Sequence, residues 1–183
     1  MASPSFVGFI AAAILVAAFS AGCSDEDSVT GPAGEGSRRY GYTIEDTVGQ
    51  ETGETAAEYK ARTPFTISGD TEDHWALVTF AEPLSLAAAA EWADRFMPRR
   101  VNELVTPQHA PITVPEPGPR ATWTELFTRY GEWNGIDTVT GLVVRDREHC
   151  LQAMYEDPST FHVEVLPADA TWGFISVRPV SLD

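Results

Sequence analysis

This chain is poor in sulfur, poor in positive charge and without a compact catalytic signature. Only Cys23 and Cys150 are cysteines among 183 residues. No disulfide framework of the kind that staples small secreted domains is therefore expected, and stability must come from an apolar core. Twelve basic against twenty-seven acidic side chains leave a net charge of -15. That balance repels a phosphate backbone and argues against nucleic acid as a partner. The surplus is spread along the chain: residues 24–58 hold nine acidic and two basic side chains, residues 59–183 eighteen and ten. The motifs H-E-x-x-H, G-x-S-x-G, the Walker A loop, the Rossmann glycine pattern and C-x-x-C are all absent. A calcium loop of the form D-x-[DN]-x-[DN]-G is missing too, and Ser24-Asp25-Glu26-Asp27 is too local to build a cage. No metal and no cofactor is expected, and the balance leans away from an enzyme.

One long apolar run is present. Phe6 to Ala21 carries no charge and consists of Phe, Val, Ile, Leu, Ala, Gly and Ser. Sixteen residues of helix reach roughly 24 Å, short of a hydrocarbon core of about 30 Å. The run suits the apolar region of an export signal better than a membrane span. It ends in Ser20-Ala21-Gly22-Cys23.

Those four residues resemble the lipobox of bacterial lipoproteins, in which small residues give a signal peptidase access to the bond before an acylated cysteine. The resemblance implies a signal peptide over 1–22 and a lipid on Cys23. It places the protein in the cell envelope, anchored on the extracytoplasmic face of a membrane. A single acyl chain holds a protein only marginally, at about 0.8 kcal/mol per buried methylene, so stable anchoring takes two or three. One lysine against eleven arginines fits a GC-rich bacterial source. Residues 23–58 are rich in Ser, Thr, Asp, Glu and Gly, and read as a flexible acidic tether. Either part of that stretch docks on the domain or the tether exceeds thirty residues. Residues 59–183 suffice for one domain.

Within that domain the pattern predicts alternating strands and helices. Trp75 to Phe80 is a compact apolar run of strand length. Leu84, Ala88, Trp92 and Phe96 recur every four residues, a helix that Pro98 ends. Val101 to Val105 fits a helical turn or a short strand equally well. Ile112 to Val114 reads as a brief strand closed by Pro115, Pro117 and Pro119. Thr122 with Glu125 three residues on forms a capping box. The stripe that follows, Trp123, Leu126, Phe127 and Tyr130, is a packed face, with Gly131 as its stop. These aromatics, joined by Trp133 and Trp75, would also suit a carbohydrate or peptide groove.

Thr138 to Arg145, a helix from Asp146 through Tyr155, and Phe161 to Leu166 make a strand-helix-strand unit. In its last strand Phe161, Val163 and Val165 alternate with His162 and Glu164, so one sheet face is packed and the other more polar. Trp172 to Val177 supplies a final strand, reached by a hairpin-like return through Pro167-Ala168-Asp169-Ala170. The expected architecture is α+β: one small domain, its sheet mainly antiparallel or mixed, with helices packed on one face.

Gly141-Leu142-Val143-Val144, Leu151-Gln152-Ala153, Asp157-Pro158 and Val163-Glu164-Val165 are similar to the second half of subtilisin-type propeptide and inhibitor domains. That resemblance implies a ferredoxin-like fold and an activity in protease inhibition or folding assistance. Among dispersed residues, His74, His109, His149 and His162 fall in different elements. Glu72-Asp73-His74 sets carboxylates beside an imidazole. Cys150 reads as a buried thiol, because adjacent helical residues point about 100° apart and His149 cannot easily face its sulfur. The leading expectation is a noncatalytic, lipid-anchored accessory or binding module with an envelope protein as partner. The alternatives are a small hydrolase assembled from dispersed His, Asp and Glu residues, and a protease-inhibitor-like module.

Overall fold

The computed structural model describes residues 46–66, 72–107, 109–118, 121–167, 170 and 175–182. Its elements are β1 (Asp46–Gly49), α1 (Ala56–Arg62), β2 (Asp73–Ser85), α2 (Leu86–Phe96), β3 (Arg100–Val105), β4 (Ile112–Thr113), α3 (Trp123–Asn134), β5 (Thr138–Arg147), α4 (Glu148–Tyr155), β6 (Thr160–Val165) and β7 (Ile175–Arg178). The protein is α+β. Five strands pair antiparallel in the order β4-β3-β5-β2-β6, and β1 and β7 form a separate parallel pair. Tracing β2-α2-β3 and then β5-α4-β6 gives two interleaved units, each strand pair separated by a strand of the other. That is ferredoxin-like connectivity, with β4 and α3 inserted between its halves.

One face of the large sheet carries the main core. Ala76, Val78 and Phe80 of β2, Leu142 and Val144 of β5 and Val163 of β6 are buried there beneath α2, α3 and α4. Trp92 of α2 meets Phe80 edge-on, with ring centroids 5.4 Å apart. Ser85 caps α2 by accepting from Ala88 N, and Met97 ends it in the left-handed region at φ 46°. Thr122 and Glu125 form the capping box that the sequence predicts.

Gly131 does not stop α3, which runs on to Asn134 and ends at Gly135, φ 67°. The reason is packing. A Cβ at Gly131 would lie 2.1 Å from Leu86 Cδ1, so the glycine lets α3 approach the start of α2. The segment left open between helix and strand is β3.

The opposite face is also covered, by part of the stretch for which docking on the domain was one of two alternatives. Val48, Trp75, Leu77, Val105, Val143 and Leu166 form a second apolar cluster beneath the β1–β7 pair. Of the stretch 23–58, β1 and the start of α1 belong to the fold. Two apolar anchors, Val48 and the fully buried Tyr59, together with a Thr55–Glu58 capping box on α1, hold a segment whose overall composition is polar. The last strand corrects a second expectation. Instead of returning as a hairpin beside β6, β7 crosses to β1 and pairs in parallel, with Asp46 opposite Ile175 and Gly49 opposite Arg178. Trp172 lies outside the described residues. At the start of α4 the cap is Arg147, with no side-chain cap bond, whereas Asp146 remains in β5.

The two edges of the sheet are protected differently. At β4, Val114 N donates to Asn102 O, so the main chain of residues 111, 113 and 115 points outward. Two of those three are prolines and have no N–H to offer another strand. At β6 the chain after α1 straps the edge. Lys60 Nζ donates to Phe161 O at 3.0 Å, Thr63 contacts His162, and Phe65 stacks on Tyr155 with centroids 4.7 Å apart.

Candidate functional site

The polar side chains of β6 face inward, onto α1. His162 is 1% exposed and Glu164 8%, although strand alternation had placed them on the more polar side of the sheet. Glu164 Oε2 accepts from Gly49 N at 2.7 Å and from the Tyr59 hydroxyl at 3.0 Å. Burial raises its carboxyl above the usual range, against the two donors and the nearby Arg62, which favour the anion. Tyr59 is held well above its ordinary value, by burial first and then by the Glu164 charge. Gly49 is required here: its φ is 96°, and a Cβ would stand 1.9 Å from Arg178 O.

Next to this pair, His162 Nε2 lies 2.6 Å from Thr63 O and 2.9 Å from Thr63 Oγ1. The Thr63 hydroxyl donates its own proton to Tyr59 O. Both groups therefore act as acceptors, so Nε2 carries the imidazole proton. His162 Nδ1 is buried and has no partner among the described residues. Burial lowers the histidine's affinity for a second proton. Around the rim, Arg62 Nε and Nη2 grip the Glu54 carboxylate at 2.8 and 3.0 Å, and Nη2 also reaches Gly49 O at 2.9 Å. The Arg62 contact holds Glu54 below the ordinary carboxylate range. The Gly49, Tyr59 and Thr63 contacts tie the β1–α1 segment to β6, Arg62 braces that segment internally, and the chemistry of the layer is that of a clamp.

The other singled-out residues are dispersed. His74 is buried on β2, in register with Asp146 across the β2–β5 ladder. Asp146 accepts from Arg147 N at 2.8 Å and Arg99 N at 3.4 Å, and burial raises its carboxyl. Asp73 is 3.4 Å from Arg99 Nε and 4.0 Å from Arg147 Nε. This group fastens the start of β2 to the end of β5. Glu72 and His149 are exposed. Cys150 is buried in the first turn of α4, but it is disulfide-bonded, which corrects the expectation of a thiol. The only other cysteine is Cys23, the residue expected to be acylated. Cys23 and the signal segment 1–22 lie outside the described residues. Sequence reasoning passed over Glu103, where burial raises the carboxyl to about 7 and Oε2 has no partner among the described residues. Its flank of Val101, Leu104 and Val105 was the available signal.

Two of the concavities among the described residues bear on function. One, of about 510 Å³, lies where the β2–β5 register breaks between Thr79 and Leu84, and is lined by Phe80, Glu82, Pro107, Thr140, Val180 and Leu182 among others. Glu82 is its charged residue. The second, about 480 Å³, is formed by His109 to Thr113 and by Tyr130 and Asn134 of α3. Beside it stands Trp133, 71% exposed, its ring 5.3 Å from that of Tyr130. Of the helical aromatic stripe, Trp123, Leu126 and Phe127 are core, whereas Tyr130 is half-buried and turns toward this cavity. Among the described residues no group of three or more His, Cys, Asp or Glu is placed to hold a metal ion, and no helix is long and apolar enough to cross a membrane.

No family model, curated protein or solved structure matches this chain.

Proposed function

We propose that this protein is a lipid-anchored binding module on the extracytoplasmic face of a bacterial membrane, held there through acylated Cys23. The observation that carries this reading is Ser20-Ala21-Gly22-Cys23 directly after an uncharged apolar run. It is supported by the distance between the anchor and the first described strand. From Cys23 to Asp46 the chain can reach roughly 75 Å at full extension, enough to clear a headgroup layer. The dispersal of His74, His109, His149 and His162 over separate elements favours binding over hydrolysis. Among the described residues lining these two concavities, no histidine is joined to a carboxylate.

Acylation and disulfide formation compete for one sulfur. With Cys23 lipidated, the Cys150 disulfide joins two molecules. Membrane fractionation tests the anchor. The Cys23→Ala protein is expected in the soluble extracytoplasmic fraction, and its full retention on membranes would sink the proposal.

One observation favours a second reading, a protease-inhibitor-like module: the strand order matches the fold implied by the resemblance over 139–166. That reading requires the purified protein to slow a subtilisin-like protease. An undiminished cleavage rate removes it.

A further inference from the structure

We infer that the cavity between α3 and the β4 edge is a binding site for a neutral oligosaccharide, with Trp133 and Tyr130 as its stacking platform. This rests on the binding-module reading and names the ligand class. A fully buried tryptophan would be core, but Trp133 is held in water at 71% exposure, with Tyr130 against it. An amphipathic ring packed against Tyr130, which itself lines the cavity, presents a flat apolar surface that suits the C–H face of a pyranose. The remaining lining supplies hydrogen-bonding groups without formal carboxylate or ammonium charge: the His109 ring, the Thr113 hydroxyl and the Asn134 amide. Asn134 Nδ2 donates to Tyr130 O at 2.7 Å, which fixes the amide and leaves Oδ1 to accept from a ligand hydroxyl. Thr106 and His109 are joined by reciprocal bonds between the Thr106 hydroxyl and the His109 main chain, at 3.0 and 3.1 Å, which hold that wall in place.

The same lining disfavours an extended peptide. A peptide adding to the β4 edge would seek main-chain donors at positions 111, 113 and 115, and Pro111 and Pro115 have none. No Asp, Glu, Lys or Arg is among the described residues of the cavity wall, which disfavours a phosphate or an acidic sugar, and the protein's net charge of -15 acts in the same direction.

The test is calorimetric titration of the full chain, purified in a detergent without a sugar headgroup, against maltohexaose, cellohexaose and chitohexaose. At least one is expected to bind, Trp133→Ala to weaken it about tenfold, and Trp133→Phe to restore most of the loss. Leu182→Ala, in the other concavity, is expected to leave binding unchanged. Thermal unfolding of Trp133→Ala should match that of the parent, since the ring is exposed. The proposal is overturned by no binding of any of the three up to about 10 mM, by binding indifferent to Trp133→Ala, or by a proline-rich peptide that binds through Trp133 where the sugars do not. Because the titration is repeated on Cys23→Ala protein, a failed anchor and a failed sugar site give different results.

Discussion

The two faces of the central sheet are buried to similar depth by different chemistry. Under α2, α3 and α4 the contacts are almost all apolar, with Phe80, Phe127, Leu142 and Leu151 at 1% exposure or less. Under α1 and β1 the sheet sets His162 and Glu164 beside the smaller apolar cluster of Val48, Trp75, Leu77 and Val143, and closure over the two polar residues depends on their finding the right donors and acceptors. An apolar face tolerates small shifts and loses stability in proportion to the volume removed. A polar face holds one register and fails when one partner is taken away. The difference suits the positions of the two layers in the chain. The helices are the body of the domain, whereas α1 and β1 are where the chain arriving from the N-terminus is fastened.

The contrast is sharpest for Phe127→Ala, which should cost about 3–5 kcal/mol and lower the urea midpoint of the whole domain. Glu164→Ala should cost about 2–3 kcal/mol, since Gly49 N and the Tyr59 hydroxyl lose their acceptor. Its signature is local: amide exchange should rise across residues 46–62 while β2 and β5 stay protected. Uniform loss of protection in Glu164→Ala would erase the distinction between the faces.

Glu103 probes burial without a partner. Its folded-state pKa, about 7, lies above the ordinary carboxylate value, so the folded protein holds the proton between pH 4.5 and 7 and loses stability as pH rises through that window. Glu103→Gln should therefore gain about 1–2 kcal/mol over the parent at pH 8 after allowance for partial solvent exposure, and almost nothing at pH 4.5. Denaturant midpoints at the two pH values measure this, and a pH-independent difference contradicts it. The smallest effect expected is for Tyr59→Phe, about 1 kcal/mol, because Gly49 N still serves the carboxylate. A loss as large as that of Glu164→Ala would show the hydroxyl, and not the carboxylate, to be the centre of the clamp.

The apolar face was readable in the sequence because its signals are local. The four-residue recurrence through Trp92 and Phe96, the Thr122–Glu125 box and the run Gly141–Val144 each announce an element from its own residues. The polar face was not, for a physical reason. Alternation at Phe161–Val165 separates two sides of a strand but does not say whether water or another helix meets the polar side. That helix, α1, is short and carries Glu58, Lys60 and Arg62 on its seven residues, and its one large anchor is Tyr59. The parallel pairing of β1 with β7 joins segments more than a hundred residues apart, which no local pattern encodes. Gly131 looked like a helix stop because its role is to admit Leu86, a contact set by tertiary packing. Of the candidate sites, the aromatic platform was half legible: Trp133 was among the residues named for a groove, but only its exposure beside the cavity separates it from the core aromatics.

Intact mass analysis of the full protein extracted from membranes without reductant tests the anchored-module account most directly. A chain that begins at Cys23, carries the added mass of two or three acyl chains and has Cys150 disulfide-bonded to a second molecule is expected. A chain without acyl mass, in which Cys23 is joined to Cys150, would contradict it.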